Sequence, residues 1–260
     1  MLHSSGPRLP ALPRLLLATL GLMAAATLQA AEVKVAVAAN FAAPLAKLAP
    51  AFTAATGHTL LISSGATGKF ASQIRAGAPF EVLLAADDET PKALVAEGLA
   101  VGNSRFTYAI GTLVLWSAQP GLVDDQGAVL AGGRFQHLAI ANPKLAPYGQ
   151  AAMETLQAKG LAQSLASKLV TAESIAQAQQ FVSTGNAELG FVALSQVIGA
   201  TPGQPATGSM WVVPAALHAE IRQDAVLLQP GEKNPAATAL LGWLRSDAAR
   251  SVIKGFGYRF

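Results

Sequence analysis

The 260-residue chain contains no cysteine. Disulfide staples, thiolate metal sites and a cysteine nucleophile are excluded, so a fold built from this chain must be held by its interior. Charge is scarce as well, with 13% of residues Asp, Glu, Lys or Arg against 52% hydrophobic. That balance excludes a disordered chain and suits one or two folded domains with a large core. No Lys/Arg cluster is present that could follow a nucleic-acid backbone, and no apolar run is long enough to cross a bilayer.

Catalytic patterns are missing too. His58, His137 and His218 stand singly in or beside apolar segments, without an HExxH pair, and read as surface or strand-end residues rather than metal ligands. There is no Gly-x-Ser-x-Gly nucleophile elbow. Gly65-Ala66-Thr67-Gly68-Lys69 is too short for a nucleotide phosphate loop and has no hydroxyl residue after the lysine. Asp87 and Asp88 are adjacent and would point apart in extended chain, which favours helix capping or a solvated surface over a metal site.

The first thirty residues stand apart from the rest. Arg8 and Arg14 precede an apolar run from Leu15 to Ala26 and small residues at Leu28-Gln29-Ala30-Ala31. The order is that of a secretory signal peptide, and a run of about 12 residues is short of the ~20 a membrane helix needs. Removal is expected near Ala30 or Ala31, giving a soluble periplasmic chain. Losing Arg8 and Arg14 takes the 18 basic residues to 16 against 15 acidic, and the net charge from +3 to +1.

From Val33 onward, strand and helix patterns alternate. Val33–Ala39 is β-branched and alternating, followed by Asn40 as a cap and a helical face of Leu45, Leu48 and Phe52 with Pro44 in its first turn. Leu60–Ile62 is a second strand that breaks into Ser63-Ser64-Gly65-Ala66-Thr67-Gly68 before a helix through Phe70 and Ile74. Phe80–Leu84 is a third, before a helix through Leu94. Three such units imply an α/β fold with a parallel sheet covered on both faces, whose carboxyl-end loops form the working surface.

Asn103 to Trp116 reads as an extended connection, broken at Gly111, that passes into a second lobe; Gly121–Arg134 reads as loop. Strand and helix then resume around His137–Ile140, Pro147-Tyr148-Gly149, Leu169-Val170, Ser174-Ile175 and Glu188–Val192. Met210–Pro214 and Ala225–Leu228 read as strands returning to the first lobe, where the helix from Pro235 should pack. The expected division is a signal peptide over 1–30, lobe I over 31–110 and 214–260, and lobe II over 111–213, with a hinge between the lobes.

Four strand-to-helix junctions remain as site candidates: Ala39-Asn40, Ala66-Thr67-Gly68, Pro147-Tyr148-Gly149 and Ser174-Ile175. The first N–H groups of a helix lack intrahelical partners and face outward with the positive end of the dipole. Two junctions from each lobe around one cleft, with no fixed counter-charge, would suit a fully ionised tetrahedral oxyanion. Four unrelated caps remain the alternative.

Val35–Phe41, Ile62–Gly68, Gln73–Pro79, Arg105–Gly111 with Leu113–Ser117, Asn142-Pro143 with Ala146–Gly149, and Leu189–Val192, in that order, resemble the molybdate-binding periplasmic component of ABC transporters. The likeness runs from about Glu32 to the C-terminus. It implies a two-lobed type II periplasmic binding fold that captures molybdate, and usually tungstate, for a membrane permease, as a monomer without cofactor or chemistry. Asn40 falls where the family offers a polar residue, and Thr67 where it uses a hydroxyl with a backbone N–H. Tyr148 and Ile175 fall where the second lobe gives N–H groups; Ala39, Gly68 and Ser174 are further candidates. Two positions depart from the pattern, Ala39 where some members carry a hydroxyl and Ala193 where others carry a Tyr. Another oxyanion such as sulfate, or an exported enzyme acting on a small anion, stays open as an alternative; phosphate would call for an acceptor carboxylate that the cleft lacks.

Overall fold

The structure is a computed structural model and describes residues 1–3, 30–198 and 207–260. The expected signal segment falls almost wholly outside the described residues. The first part of the fold runs β1 (Glu32–Ala38), α1 (Ala42–Thr56), β2 (Thr59–Gly65), α2 (Thr67–Arg75), β3 (Val82–Leu84), α3 (Glu89–Ala96) and β4 (Phe106–Gly111). It continues through β5 (Leu113–Ser117), α4 (Val129–Gly132), β6 (Leu138–Ala141), α5 (Pro147–Ala158), β7 (Leu169–Ala172), α6 (Ile175–Ser183), β8 (Leu189–Ala193) and β9 (Ser209–Val212). The last elements are β10 (Ile221–Leu227), α7 (Pro235–Trp243) and α8 (Asp247–Gly255).

The strands form two five-stranded sheets, β2-β1-β3-β10-β4 and β7-β6-β8-β5-β9. In each, four strands run one way and one, β10 or β5, runs against them, so both sheets are mixed where the sequence pattern suggested parallel ones. The difference has a topological cause. β5 enters the second sheet from the first, and β10 enters the first from the second; each runs against the local βα units.

Thr112 is all that separates β4 in one sheet from β5 in the other. The return crossing comes later than the sequence suggested: Met210 and Trp211 pair with Trp116 and Leu115 in the second sheet, and Val213 N–H donates to the Leu113 carbonyl at 3.0 Å. The chain re-enters the first sheet only at Ile221, opposite Gly111. The expected loop over Gly121–Arg134 contains the short α4, started by Asp124, whose carboxylate accepts the N–H groups of Gln126, Ala128 and Val129.

Each lobe has its own core. Leu45, Leu48 and Phe52 of α1 are buried with Leu240, Leu241 and Leu244 against Val33, Val35 and Val37 of β1. Burying one such side chain is worth about 1.5–3 kcal/mol. Gly57 closes α1 at φ 75°, a left-handed position open to glycine at no steric cost. The second core contains Leu113, Leu115, Ile140, Leu156 and Phe191, and it also takes in Ala38, Ala39 and Ala86 from the first sheet's side. Small residues thus bring the two lobes into direct contact where the strand ends meet.

Candidate functional site

A small, half-open cavity lies at that meeting point. Its walls come from the ends of β1 and β2, the starts of α2, α5 and α6, and Ala86 after β3. Asn40, Thr67, Tyr148 and Ile175, each taken from a separate strand-to-helix junction, all line it, as does Ala39. No Asp, Glu, Lys, Arg or His is part of the wall. The remaining lining is alanine, glycine and proline, so the side chains there are small or absent.

The helix starts explain what that backbone offers. Ala66, Ala146 and Ser174 are the N-caps of α2, α5 and α6, so Thr67 and Ile175 are first helical residues, and Tyr148 is the first with an N–H because Pro147 precedes it. Among the described residues, none supplies an acceptor to the backbone N–H of Asn40, Thr67, Tyr148 or Ile175. All four residues are buried. Unpaired donors away from water are costly unless something accepts from them.

Two side chains differ from their sequence reading. Asn40 is not a cap; it lies inside a 3₁₀ turn, Ala39–Phe41, and its amide donates inward to Gln223 Oε1 at 2.9 Å and to the Tyr258 hydroxyl at 3.0 Å. Its backbone N–H has no acceptor among the described residues. Thr67 accepts the Ala86 N–H on its hydroxyl at 3.0 Å, which leaves the hydroxyl proton available to donate.

The further candidates separate. Ala39 keeps its place on the cavity. Gly68 lines the adjoining cleft instead, and its N–H crosses to the Leu145 carbonyl at 2.9 Å. The Ser174 hydroxyl accepts the Gln177 N–H at 3.3 Å as an ordinary helix cap. Ala193, the second departure, is buried at the end of β8 and does not line the cavity.

Sequence reasoning missed what stands behind this wall. Gln223, Tyr108, Tyr258 and Ser195 form a buried polar cluster with Asn40 and Tyr148. The Ser195 and Tyr258 hydroxyls both donate to the Asn40 carbonyl at 2.9 Å. Burial pushes the Tyr258 phenol up to about 12 and raises those of Tyr108 and Tyr148, so all three stay protonated and uncharged. At the rim, Asp87 serves the capping role expected of it, accepting the Thr90 N–H at 2.7 Å, while Lys69 meets Glu173 across the cleft at 3.7 Å.

Two mixed α/β sheets linked by neighbouring crossings, with helix N-termini of both lobes around one cavity, define a two-lobed binding protein of the periplasmic type II fold. Residues 33–259 match the family model described as bacterial extracellular solute-binding protein, and the chain belongs to that family. It is similar to the molybdate-binding protein ModA of Azotobacter vinelandii, 60% identical over 238 residues that cover 92% of this chain and 93% of that one. The molybdate-binding protein ModA of Rhodobacter capsulatus is 52% identical and covered to 88%, as is this chain. Among solved structures, a periplasmic molybdate-binding protein of Azotobacter vinelandii superposes with a TM-score of 0.85 at 43% identity, covering 88% of this chain and 99% of that one.

Proposed function

We propose that this chain captures molybdate between its lobes and delivers it to the membrane permease of an ABC transporter, working by binding and release rather than by chemistry. The observation that carries this is the uncharged cavity, on which the unpaired N–H groups of Asn40, Thr67, Tyr148 and Ile175 converge from both lobes. A tetrahedral dianion satisfies several such donors at once, and fixed donors need no reorganisation to receive it. The Thr67 hydroxyl and the Ala39 N–H complete the set. The relatives named above support molybdate as the guest, and tungstate, of nearly the same size and charge, fits the same shell.

The reading places the chain in the periplasm as a monomer after loss of residues 1–30, with lobe I over 31–110 and 214–260 and lobe II over 111–213. Among the described residues no helix is long and apolar enough to cross a membrane, so the permease supplies the channel. Titration calorimetry with molybdate, tungstate and sulfate tests it. Molybdate and tungstate should bind alike, and sulfate, equal in charge but smaller, at least about tenfold more weakly, since a lost contact to a charged ligand costs ~1.5 kcal/mol or more. Sulfate binding as tightly as molybdate would overturn the assignment.

A further inference from the structure

Gln223 is fully buried on β10, where the ladder to β4 shifts register between Gln223 and Asp224. β10 is buried continuously from Gln223 to Leu227, so both residues turn away from solvent, on opposite faces of the sheet. Asp224 turns to Arg105 and to the Thr107 hydroxyl. The Gln223 amide turns to the back of the cavity. Its Oε1 accepts from Asn40 Nδ2 at 2.9 Å and from the Tyr108 hydroxyl at 3.1 Å, and its Nε2 donates to the Tyr148 hydroxyl at 3.2 Å.

Asn40 and Tyr148 belong to opposite sides of the cleft, and the Gln223 amide bonds to both of their side chains, beside the Tyr258 hydroxyl that also meets both. The amide is directional, with an acceptor at one end and donors at the other, and it cannot swing aside. Gly111 presses on it so closely that a methyl group there would collide with both the Gln223 amide and the Tyr148 hydroxyl. Asn40 and Tyr148 both line the cavity, and their backbone N–H groups have no acceptor among the described residues.

We propose that Gln223 is a positioning residue for oxyanion binding, its amide setting the separation between the Asn40 and Tyr148 backbone donors when the lobes close. The inference rests on the binding reading given above. Gln223→Met keeps the volume and removes the bonds, and Tyr148→Phe removes only the hydroxyl while keeping the backbone N–H. The test is calorimetry and stopped-flow dissociation with molybdate on wild type, both single variants and the double variant.

Each single change should weaken molybdate binding about tenfold, with the loss in the dissociation rate, and the double variant should be no weaker than the worse single one. Fully additive losses, or unchanged affinity in Tyr148→Phe with an unaltered ligand-free melting temperature, would overturn the proposal. Should Gln223→Met fail to fold, Tyr148→Phe decides by itself: a tenfold faster dissociation upholds the positioning role and a wild-type rate removes it. A wild-type protein that does not bind molybdate would instead refute the functional reading, so the two failures are distinct.

Discussion

Thr67 holds the first helical position of α2 with its hydroxyl oxygen already engaged by the Ala86 N–H, so its proton is free for a guest. Thr67→Ala is expected to weaken molybdate binding about tenfold or more, since hydrogen bonds to charged groups are worth ~1.5–3 kcal/mol, whereas Thr67→Ser should bind nearly as wild type. Calorimetry on the two variants checks this. Gly111→Ala should cost roughly 1–3 kcal/mol of stability, measured by denaturant unfolding, because its methyl must displace the Gln223 amide and the Tyr148 hydroxyl. That Asn40, Thr67, Tyr148 and Ile175 sit at strand-to-helix junctions was legible because each junction is announced locally, by an apolar strand that breaks into small residues before a helix. Gln223 and Tyr258 were not, since they meet Asn40 across 183 and 218 residues of chain. The one local trace of Gln223 is a Gln-Asp pair that follows Arg222 inside the strand Ile221–Leu227.

At the level of elements, the caps are single side chains with a measurable share in stability. Ser246 accepts the Ala249 N–H at 3.2 Å and starts α8, whose Ile253 is fully buried in the first lobe. Ser246→Ala should lower unfolding free energy by about 1 kcal/mol, read from chemical denaturation. Periodicity identified β1, α1, α2 and α7 because each buries one face in a regular repeat. It misplaced β9, because Met210–Val212 reads as a strand wherever it pairs, and what decides the pairing is Val114–Trp116 nearly a hundred residues earlier. Sheet direction was hidden for the same reason, as the crossing strands carry no sign of which neighbour they will meet.

For the molecule as a whole, stability should respond to pH in two opposed ways. Burial holds the Asp87 carboxyl above its ordinary range. Below about pH 4 that group is protonated folded or unfolded and costs nothing; as pH rises through the raised folded value, stability is lost. Asp124 is held low by the N–H groups of Ala128 and Gln126, so it contributes above its unfolded value of ~3.9 and loses that contribution as pH falls through the depressed one. Asp87→Asn should therefore raise the melting temperature at pH 7 and Asp124→Asn lower it, with both differences fading as pH falls below about 3. Thermal scans across that range would show it.

β10 lies between β3 and β4, so the first sheet has a gap at its heart until Ile221–Leu227 is in place. The second sheet needs nothing beyond Val212. In order of synthesis, then, one lobe can finish early, while the other waits for the last 40 of 260 residues, which also bring α7 and α8 to its core. A chain stopped at residue 220 should yield a protease-resistant second lobe and a digestible first one. The first lobe cannot close until Ile221–Leu227 has emerged, so its early βα units leave the ribosome long before the strand that locks them arrives.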